Sequence, residues 1–184
     1  MNKLPKNSKG FTLINFLRKT INAQPNGFTL IEILVALTIL AILAVSVFVA
    51  LNPAQRLKDA KDTRRAGDVD SILSAIHQSI VDNKGTMPTN MPAVDVEQQL
   101  GTGLAATCVA AVGTYCTGMT TGCKDLQTGP QNTAKYLASM PIDPNGSADA
   151  DATKTGYSVK RDTNGIVTVK ACYTDGTVAI SASR

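Results

Sequence analysis

The feature that most constrains this chain is an apolar run of 24 residues from Phe28 to Leu51, with the sequence FTLIEILVALTILAILAVSVFVAL. Its one ionisable residue is Glu32. With a rise of about 1.5 Å per residue, a helix of this length measures roughly 36 Å and crosses a bilayer core of about 30 Å with some tilt. A secretory signal peptide has a shorter apolar region, of about 7–15 residues, and then a small-residue cleavage site. Neither feature is present here, so we expect an anchor that is retained.

The charge of the chain is unevenly distributed around this run. Residues 1–27 contain five basic residues and no acidic one, whereas the remainder has 13 basic and 14 acidic residues, a net charge of −1. The remainder therefore lacks the basic excess that attracts nucleic acid, and we expect no specific nucleic-acid partner. Basic residues beside a span mark its cytoplasmic side, so the C-terminal part is expected to be extracytoplasmic.

The pentapeptide Gly-Phe-Thr-Leu-Ile occurs twice, at residues 10–14 and 27–31. From Phe11 only the seven residues FTLINFL precede two basic ones, and this stretch is too short to span a bilayer. The first copy also has Asn15 where the second has Glu32. It either lies on the inner membrane surface as a helix or is a chance echo in a disordered leader. The turn-like segment 22–27 favours the second interpretation.

Glu32 needs an explanation, because a carboxylate at mid-bilayer costs about 2.5–3.5 kcal/mol on insertion scales. One interpretation gives it a partner or a function inside the membrane. The other places it one turn from the cytoplasmic end of the span, where the side chain reaches the headgroups at lower cost. The residues alone favour neither of these two interpretations.

Gly27 and the residues after it, FTLIE at 28–32, resemble the N-terminus of type IV pilins and type II secretion pseudopilins, in which a basic leader precedes an apolar helix. The resemblance covers residues 26–70. It implies that a membrane prepilin peptidase/methyltransferase cleaves between Gly27 and Phe28 and methylates the amine of Phe28. It also implies that Glu32 attracts the terminal amine of a neighbouring subunit during assembly. Two opposite charges paired in a filament core would fix the register of the subunits.

The function that this resemblance implies is structural. The chain would be a prepilin or pseudopilin subunit of a type IV pilus, a DNA-uptake variant of one, or a type II secretion filament. Its partners would be copies of itself and related pilins, the prepilin peptidase/methyltransferase, the inner-membrane assembly platform and membrane lipid. No enzyme activity or cofactor is expected, because the chain has no Gly-x-Ser-x-Gly, no His-Glu-x-x-His and a single histidine. The alternative is a single-pass, membrane-anchored extracytoplasmic binding module that does not polymerise.

Beyond the span, Pro53 predicts a break or kink, because proline lacks the N–H that would continue the helix. A second helical half is then expected from Ala54 to Asp82. Its first turns are charged on all sides, with opposite charges at i,i+4 (Lys58 with Asp62, Arg64 with Asp68). A membrane-facing basic patch, a contact between subunits and a solvated linker helix are all open interpretations there.

From residue 69 onward the helix carries an apolar stripe that needs a packing partner. The stripe comprises Val69, Ile72, Leu73, Ile76 and Ile80. His77 adjoins it, and we expect this histidine to be structural and not a ligand. We expect this helix to end near Gly85 and Pro88.

Three strands are predicted near the C-terminus, at 156–161, 166–172 and 177–181, with turns at Asn164-Gly165 and Asp175-Gly176. A short helix is expected at 133–140. Packing the stripe against this antiparallel meander gives an α+β fold, a long helix laid on a small sheet. The resemblance implies the same pilin-like architecture. We therefore expect four segments: a cleaved leader (1–27), a transmembrane and assembly helix (28–51), the second half of the long helix (52–84) and a small globular head (85–184).

The four cysteines are expected to form two disulfides, since their spacing matches no metal or redox pattern and the domain is expected to be exported. They are Cys108, Cys116, Cys123 and Cys172, and three connectivities are possible. Four reduced, buried thiols are the alternative. The segment DPNGSADADA places oxygen ligands at alternate positions, but a polar turn is favoured over a calcium site and no metal is predicted. These oxygens belong to Asp143, Asn145, Ser147, Asp149 and Asp151.

Overall fold

The structure is a computed structural model that describes residues 27–103, 108, 113–116, 119, 122–144 and 150–184. The first Gly-Phe-Thr-Leu-Ile copy and most of the expected leader lie outside the described residues. The chain divides into two compact units between Leu51 and Asn52. The elements are α1 (Leu30–Leu51), α2 (Pro53–Asp82), β1 (Gln98–Gln99), β2 (Tyr157–Arg161), β3 (Val167–Ala171) and β4 (Ser181–Ser183).

The first unit contains helix α1, which coincides with most of the apolar run. Two of its few polar side chains are satisfied within the helix: the hydroxyls of Thr38 and Ser46 each donate to a backbone carbonyl three residues earlier, at 2.8 Å. Such local bonds allow hydroxyls to occupy a helix that has apolar surroundings. The helix therefore exposes an almost entirely apolar surface.

The second unit begins with Asn52, which separates the two helices. Its backbone is in the left-handed region, with φ 40° and ψ 70°, and Pro53 follows as the first residue of α2. The carbonyl of Asn52 accepts the N–H groups of Gln55 (3.0 Å) and Arg56 (3.3 Å), which starts the new helix. The interruption thus lies at the residue before the proline. The predicted start at Ala54 is within one residue of the observed one.

Helix α2 ends at Asp82, as predicted. The N–H of Gly85 donates to the carbonyl of Ile80 at 2.8 Å, and Gly85 has φ 86°, a value that glycine adopts without strain. This bond closes the last turn in the manner of a Schellman motif.

The sheet is antiparallel with the order β1-β2-β3-β4. Strand β3 alternates buried and half-buried residues, so that Val167, Val169 and Ala171 form one apolar face. This face packs with Val69, Ile72, Leu73 and Ile76 of α2 in a single core, against which Ile80 is partly buried. The predicted α+β fold is therefore confirmed: the helical region Leu30–Asp82 is followed by a small antiparallel sheet, and its second half packs on that sheet.

Three details of the prediction are wrong. The last strand is β4 at Ser181–Ser183 and not 177–181, because the intervening loop is bonded to α2 and cannot turn tightly at Asp175-Gly176. Segment 133–140 forms a single turn, with Tyr136 and Leu137 N–H groups on the carbonyl of Thr133, and not a helix. The two-residue strand β1 was not predicted, since it lies in a segment without alternation.

Candidate processing and assembly site

The expected cleavage site lies in a non-helical segment. Residues Gly27 to Thr29 precede α1, and each is exposed, with Phe28 75% exposed. Thr29 is the N-terminal cap of α1: its hydroxyl accepts the N–H of Glu32 at 3.2 Å, and its carbonyl accepts the N–H of Ile33 at 3.2 Å. Because the cap begins the helix at Leu30, the Gly27–Phe28 bond lies outside it.

Glu32 occupies the first turn of α1, three residues after the cap, and is exposed. The N-terminal end of a helix carries a partial positive charge, so an acidic side chain is favoured at this position. A positively charged terminal amine at residue 28 would also lie at this end of the helix.

Helix α1 buries none of its own 22 described residues. Its large apolar side chains are 46–83% exposed, from Ile33 at the low end to Leu30 at the high end. Among the described residues, one helical stretch, Leu30–Asp82, is long and apolar enough to cross a membrane by length and composition. A continuous apolar surface of this size needs lipid or another protein around it.

A second feature, in the second unit, is a cluster of charges that sequence analysis did not find. Arg65 is fully buried and donates to Asp143 through Nε (2.8 Å) and Nη2 (3.0 Å). Its Nη1 donates to Asp62 (2.6 Å) and Asp175 (2.8 Å). The Arg65 guanidinium also lies 5.0 Å from the centre of the Tyr173 ring. One guanidinium therefore joins α2 to two distant loops.

Burial disfavours the charged form of Arg65, but hydrogen bonds to Asp143, Asp175 and Asp62 outweigh it, so the pKa of Arg65 is raised. Nearby, Tyr157 of β2 donates its hydroxyl to Asp68 of α2 at 2.7 Å. Burial first, and then this bond to a carboxylate, raise the pKa of Tyr157. Both groups therefore keep their protons at physiological pH.

A pattern in the sequence does point to Arg65. It lies four residues before Val69 and in phase with Ile72 and Ile76, so it belongs to the apolar stripe of α2. Its neighbour Arg64 lies on another side of the helix, with a side chain that is 63% exposed and 3.8 Å from Asp68. Two adjacent arginines in one charged stretch thus have opposite environments.

The four cysteines form two disulfides, which confirms that prediction and selects one connectivity. Cys108 is bonded to Cys123 and Cys116 to Cys172, with Cα–Cα distances of 5.4 and 4.8 Å. The second bond ties the Gly- and Thr-rich loop to the end of β3. Cys116 and Cys172 are both buried, and together with Met119 they form a small apolar cluster that is separate from the main core.

The oxygen-rich segment is only partly described. Both carboxylate oxygens of Asp143 accept hydrogen bonds from Arg65. One oxygen of Asp151 accepts the N–H groups of Thr153 (2.7 Å) and Lys154 (3.1 Å). Asn145, Ser147 and Asp149 lie outside the described residues. Within the described part of the chain, no group of three or more His, Cys, Asp or Glu side chains is placed to hold a metal ion.

His77 lies on the side of α2 next to the apolar stripe. It is half-buried and lines an open hollow of about 360 Å³ together with Ser74, Gln78, Asp82 and Tyr136. In the described structure its Nε2 atom is buried without a hydrogen-bond partner.

The comparison with known families gives one match. Residues 23–48 match the family described as the prokaryotic N-terminal methylation motif, which is the prepilin-type signal of type IV pilins and pseudopilins. No curated protein and no solved structure matches the chain. The match covers the predicted cleavage site, Glu32 and most of α1. The chain therefore carries the signal of a type IV pilin-like precursor, and this signal points to a structural subunit.

Proposed function

We propose that this chain is the precursor of a filament subunit, which is cleaved between Gly27 and Phe28, methylated on Phe28 and assembled through α1. The observation that carries the proposal is the combination of the methylation motif at 23–48 with a helix whose apolar surface is exposed along its whole length. A membrane anchor alone explains the exposed helix. It leaves the motif without a purpose.

The position of the helix start supports cleavage at this bond. A peptidase binds its substrate in an extended form, and Gly27–Thr29 are exposed and non-helical. Cleavage leaves Phe28 one residue before the cap, so its amine protrudes from the helix end. The prepilin peptidase/methyltransferase is the partner proposed for both steps.

Assembly is proposed to transfer α1 from lipid to a bundle of like helices. The apolar surface stays out of water in both states, so the hydrophobic effect does not oppose the transfer. Glu32 would pair with the Phe28 amine of a neighbouring copy, which removes the cost of an unpaired charge in apolar surroundings. This pairing gives the acid a purpose that a simple anchor does not.

The four segments of the chain keep their expected roles in this proposal. They are the leader (1–27), the membrane and assembly helix (28–51), the second half of the helix (52–84) and the head (85–184). The two disulfides favour an extracytoplasmic head, because such bonds persist in oxidising compartments. A four-cysteine head favours a type IV pilus slightly over a secretion pseudopilus, and the assembly platform of either machine in the inner membrane would be the partner.

The duplicated pentapeptide offers an internal control for cleavage. We expect Gly27→Glu to abolish processing, so that only the full-length precursor accumulates in cells that contain the peptidase. Gly10→Glu alters the first copy in the same way and should leave processing unchanged. Immunoblotting of membranes distinguishes the two forms by size. Normal processing of Gly27→Glu would contradict the proposed site.

The role of Glu32 is tested in cells that also produce the wild-type subunit. We expect Glu32→Ala subunits to be cleaved and inserted but absent from filaments sheared off the cell surface. Thr38→Ala, which removes another polar group from α1, should assemble normally. Equal incorporation of Glu32→Ala and wild-type subunits would leave the non-polymerising membrane-anchored module as the better interpretation.

A further inference from the structure

The first twelve residues of α2, Pro53 to Arg64, precede the first residue of this helix that is buried in the head, and we call this segment the arm. The first buried residue of α2 is Arg65, directly after the arm. From Pro53 to Ala60 every residue is exposed. The arm from Pro53 to Ala60 is therefore an accessible helical surface.

The arm is basic. It contains four basic residues and two acidic ones, Asp59 and Asp62. The Asp62 carboxylate is occupied within the fold: it accepts from Arg65 and from the N–H groups of Asp175 (2.9 Å) and Gly176 (2.8 Å). The other acid, Asp59, accepts the side-chain amide of Gln55 at 2.8 Å. The basic residues are Arg56, Lys58, Lys61 and Arg64.

The rest of the second unit has the opposite charge. Residues 65–184 contain nine basic and eleven acidic residues, a net charge of −2, against +2 for the arm. The basic surface is thus confined to the segment that directly follows the span. An anionic surface at the end of the span would attract the arm and repel the head.

Distance along the chain selects the membrane as that surface. Arg56 follows Leu51 by five residues and Arg64 by thirteen, which correspond to roughly 8 and 20 Å of helix. Charges interact over a Debye length of about 8 Å at physiological ionic strength, so Arg56 lies within range of a surface at the end of α1, and Arg64 comes within range of it when the arm lies along that surface. Lipid headgroups always lie there while α1 is in the bilayer. Because the span tethers the arm, binding needs no separate association step.

We propose that the arm binds anionic phospholipid headgroups on the extracytoplasmic face of the membrane that α1 spans. The proposal rests on the proposed function in one respect: α1 must lie in a bilayer. Exposed Leu57, between two basic residues, would contact the acyl boundary, while the guanidinium and ammonium groups contact phosphates. Lipid bound in this way retains the subunit in the membrane, and filament assembly has to break the contact.

The test uses the full chain inserted as one copy per nanodisc, in phosphatidylcholine alone or with phosphatidylglycerol. Hydrogen–deuterium exchange of residues 53–64 is measured in both lipids. We expect exchange to be slower by about fivefold or more in the anionic discs and the difference to disappear at high salt. Exchange of residues 157–171 should be the same in both. Equal exchange of the arm in the two lipids would overturn the proposal.

Matched variants separate the arm from general charge. Arg56→Gln/Lys58→Gln/Arg64→Gln should abolish the lipid-dependent difference, whereas Lys84→Gln/Lys124→Gln/Lys135→Gln, with the same change of net charge on the head, should preserve it. Protection that arises only with two copies per disc would assign the arm to a second subunit and overturn the lipid proposal. The measurement requires neither cleavage nor assembly, so its outcome is separate from those of Gly27→Glu and Glu32→Ala. A chain that fails to insert would contradict both proposals.

Discussion

Helices α1 and α2 are joined by a single residue, yet they use their surfaces in opposite ways. Helix α1 is almost entirely apolar and has no buried position among its described residues. Helix α2 is mostly polar and buries seven, including Val69, Ile72 and Ile76. The more apolar helix thus contributes nothing to the core of the head. Its exposed apolar surface needs lipid or another protein around it, whereas α2 packs on the sheet.

A similar contrast exists within α2 between the adjacent residues Arg64 and Arg65. Arg65 is buried among carboxylates from three segments, and Arg64 is exposed on the arm. A buried charge is tolerated only when it is paired and hydrogen-bonded. Removing one partner of such a pair leaves the other charge buried and uncompensated. The comparison predicts large effects at packed positions of α2 and small ones at exposed positions.

The largest effect is expected for Arg65→Met. Removing the guanidinium leaves Asp62, Asp143 and Asp175 without their shared cation, which should lower the free energy of unfolding of the head by about 3–5 kcal/mol. Chemical denaturation of the full-length protein in detergent measures this change. Arg64→Met should change the value by less than about 0.5 kcal/mol. Similar effects of the two substitutions would contradict the assigned environments.

The next effect contrasts the two helices directly. Ile76 is fully buried in the core, so Ile76→Ala should lower the free energy of unfolding by about 2–5 kcal/mol. Leu40 of α1 is 60% exposed, and Leu40→Ala should leave the unfolding of the head unchanged. Denaturation followed by the tyrosine signal of the head reports both variants. A loss of head stability in Leu40→Ala would show that α1 contributes to that core.

The two disulfides sharpen the comparison within the head. The Cys116–Cys172 bond spans 56 residues and the Cys108–Cys123 bond 15. In the chain-entropy model, replacing the first pair by serine should cost about 1 kcal/mol more than replacing the second. Thermal unfolding of the two double variants tests the order. Equal losses would show that strain or packing outweighs loop closure.

The smallest effect concerns pH. Hydrogen bonds from Lys135, and then from Tyr136, hold the pKa of Asp82 below its usual value. A carboxyl whose pKa is lower in the folded state stabilises the protein fully above its unfolded-state pKa, and this contribution is lost as pH falls through the folded-state pKa. Stability of the head should therefore decline below about pH 4. Asp82→Asn should make that decline shallower, as measured by unfolding midpoints between pH 7 and 3. Identical pH profiles would contradict it.

The sequence predicted the elements whose signals are local. Apolar content marks α1, a period of 3.6 marks the stripe of α2, and alternation marks β2 and β3. The phase of Arg65 with the apolar stripe is visible in the sequence, but its partners Asp143 and Asp175 could not be recognised, because they lie 78 and 110 residues further along the chain. The start of β4 was also mispredicted because of a long-range contact: the loop before this strand is bonded to Asp62 of α2.

The candidate processing site was found from the sequence and lies within the family match at 23–48, whereas the cluster in the head was not found. Gly27, Phe28 and Glu32 belong to one short motif, and the structure adds that Thr29 caps the helix directly after the predicted cleavage site. The cysteine connectivity depends on how the loop folds back on β3, so four positions in the sequence could not select it. A short motif can thus be recognised from neighbouring residues, whereas the pairing of cysteines that are far apart in the sequence cannot.

The most direct test of the central claim is the mass of the N-terminal residue. The protein is isolated from membranes and from filaments sheared off the cell surface, and its N-terminal peptide is analysed by mass spectrometry. We expect a chain that begins at N-methylated Phe28 and is present in the sheared fraction. A chain that begins at Met1 or Phe11, and is confined to membranes, would contradict it.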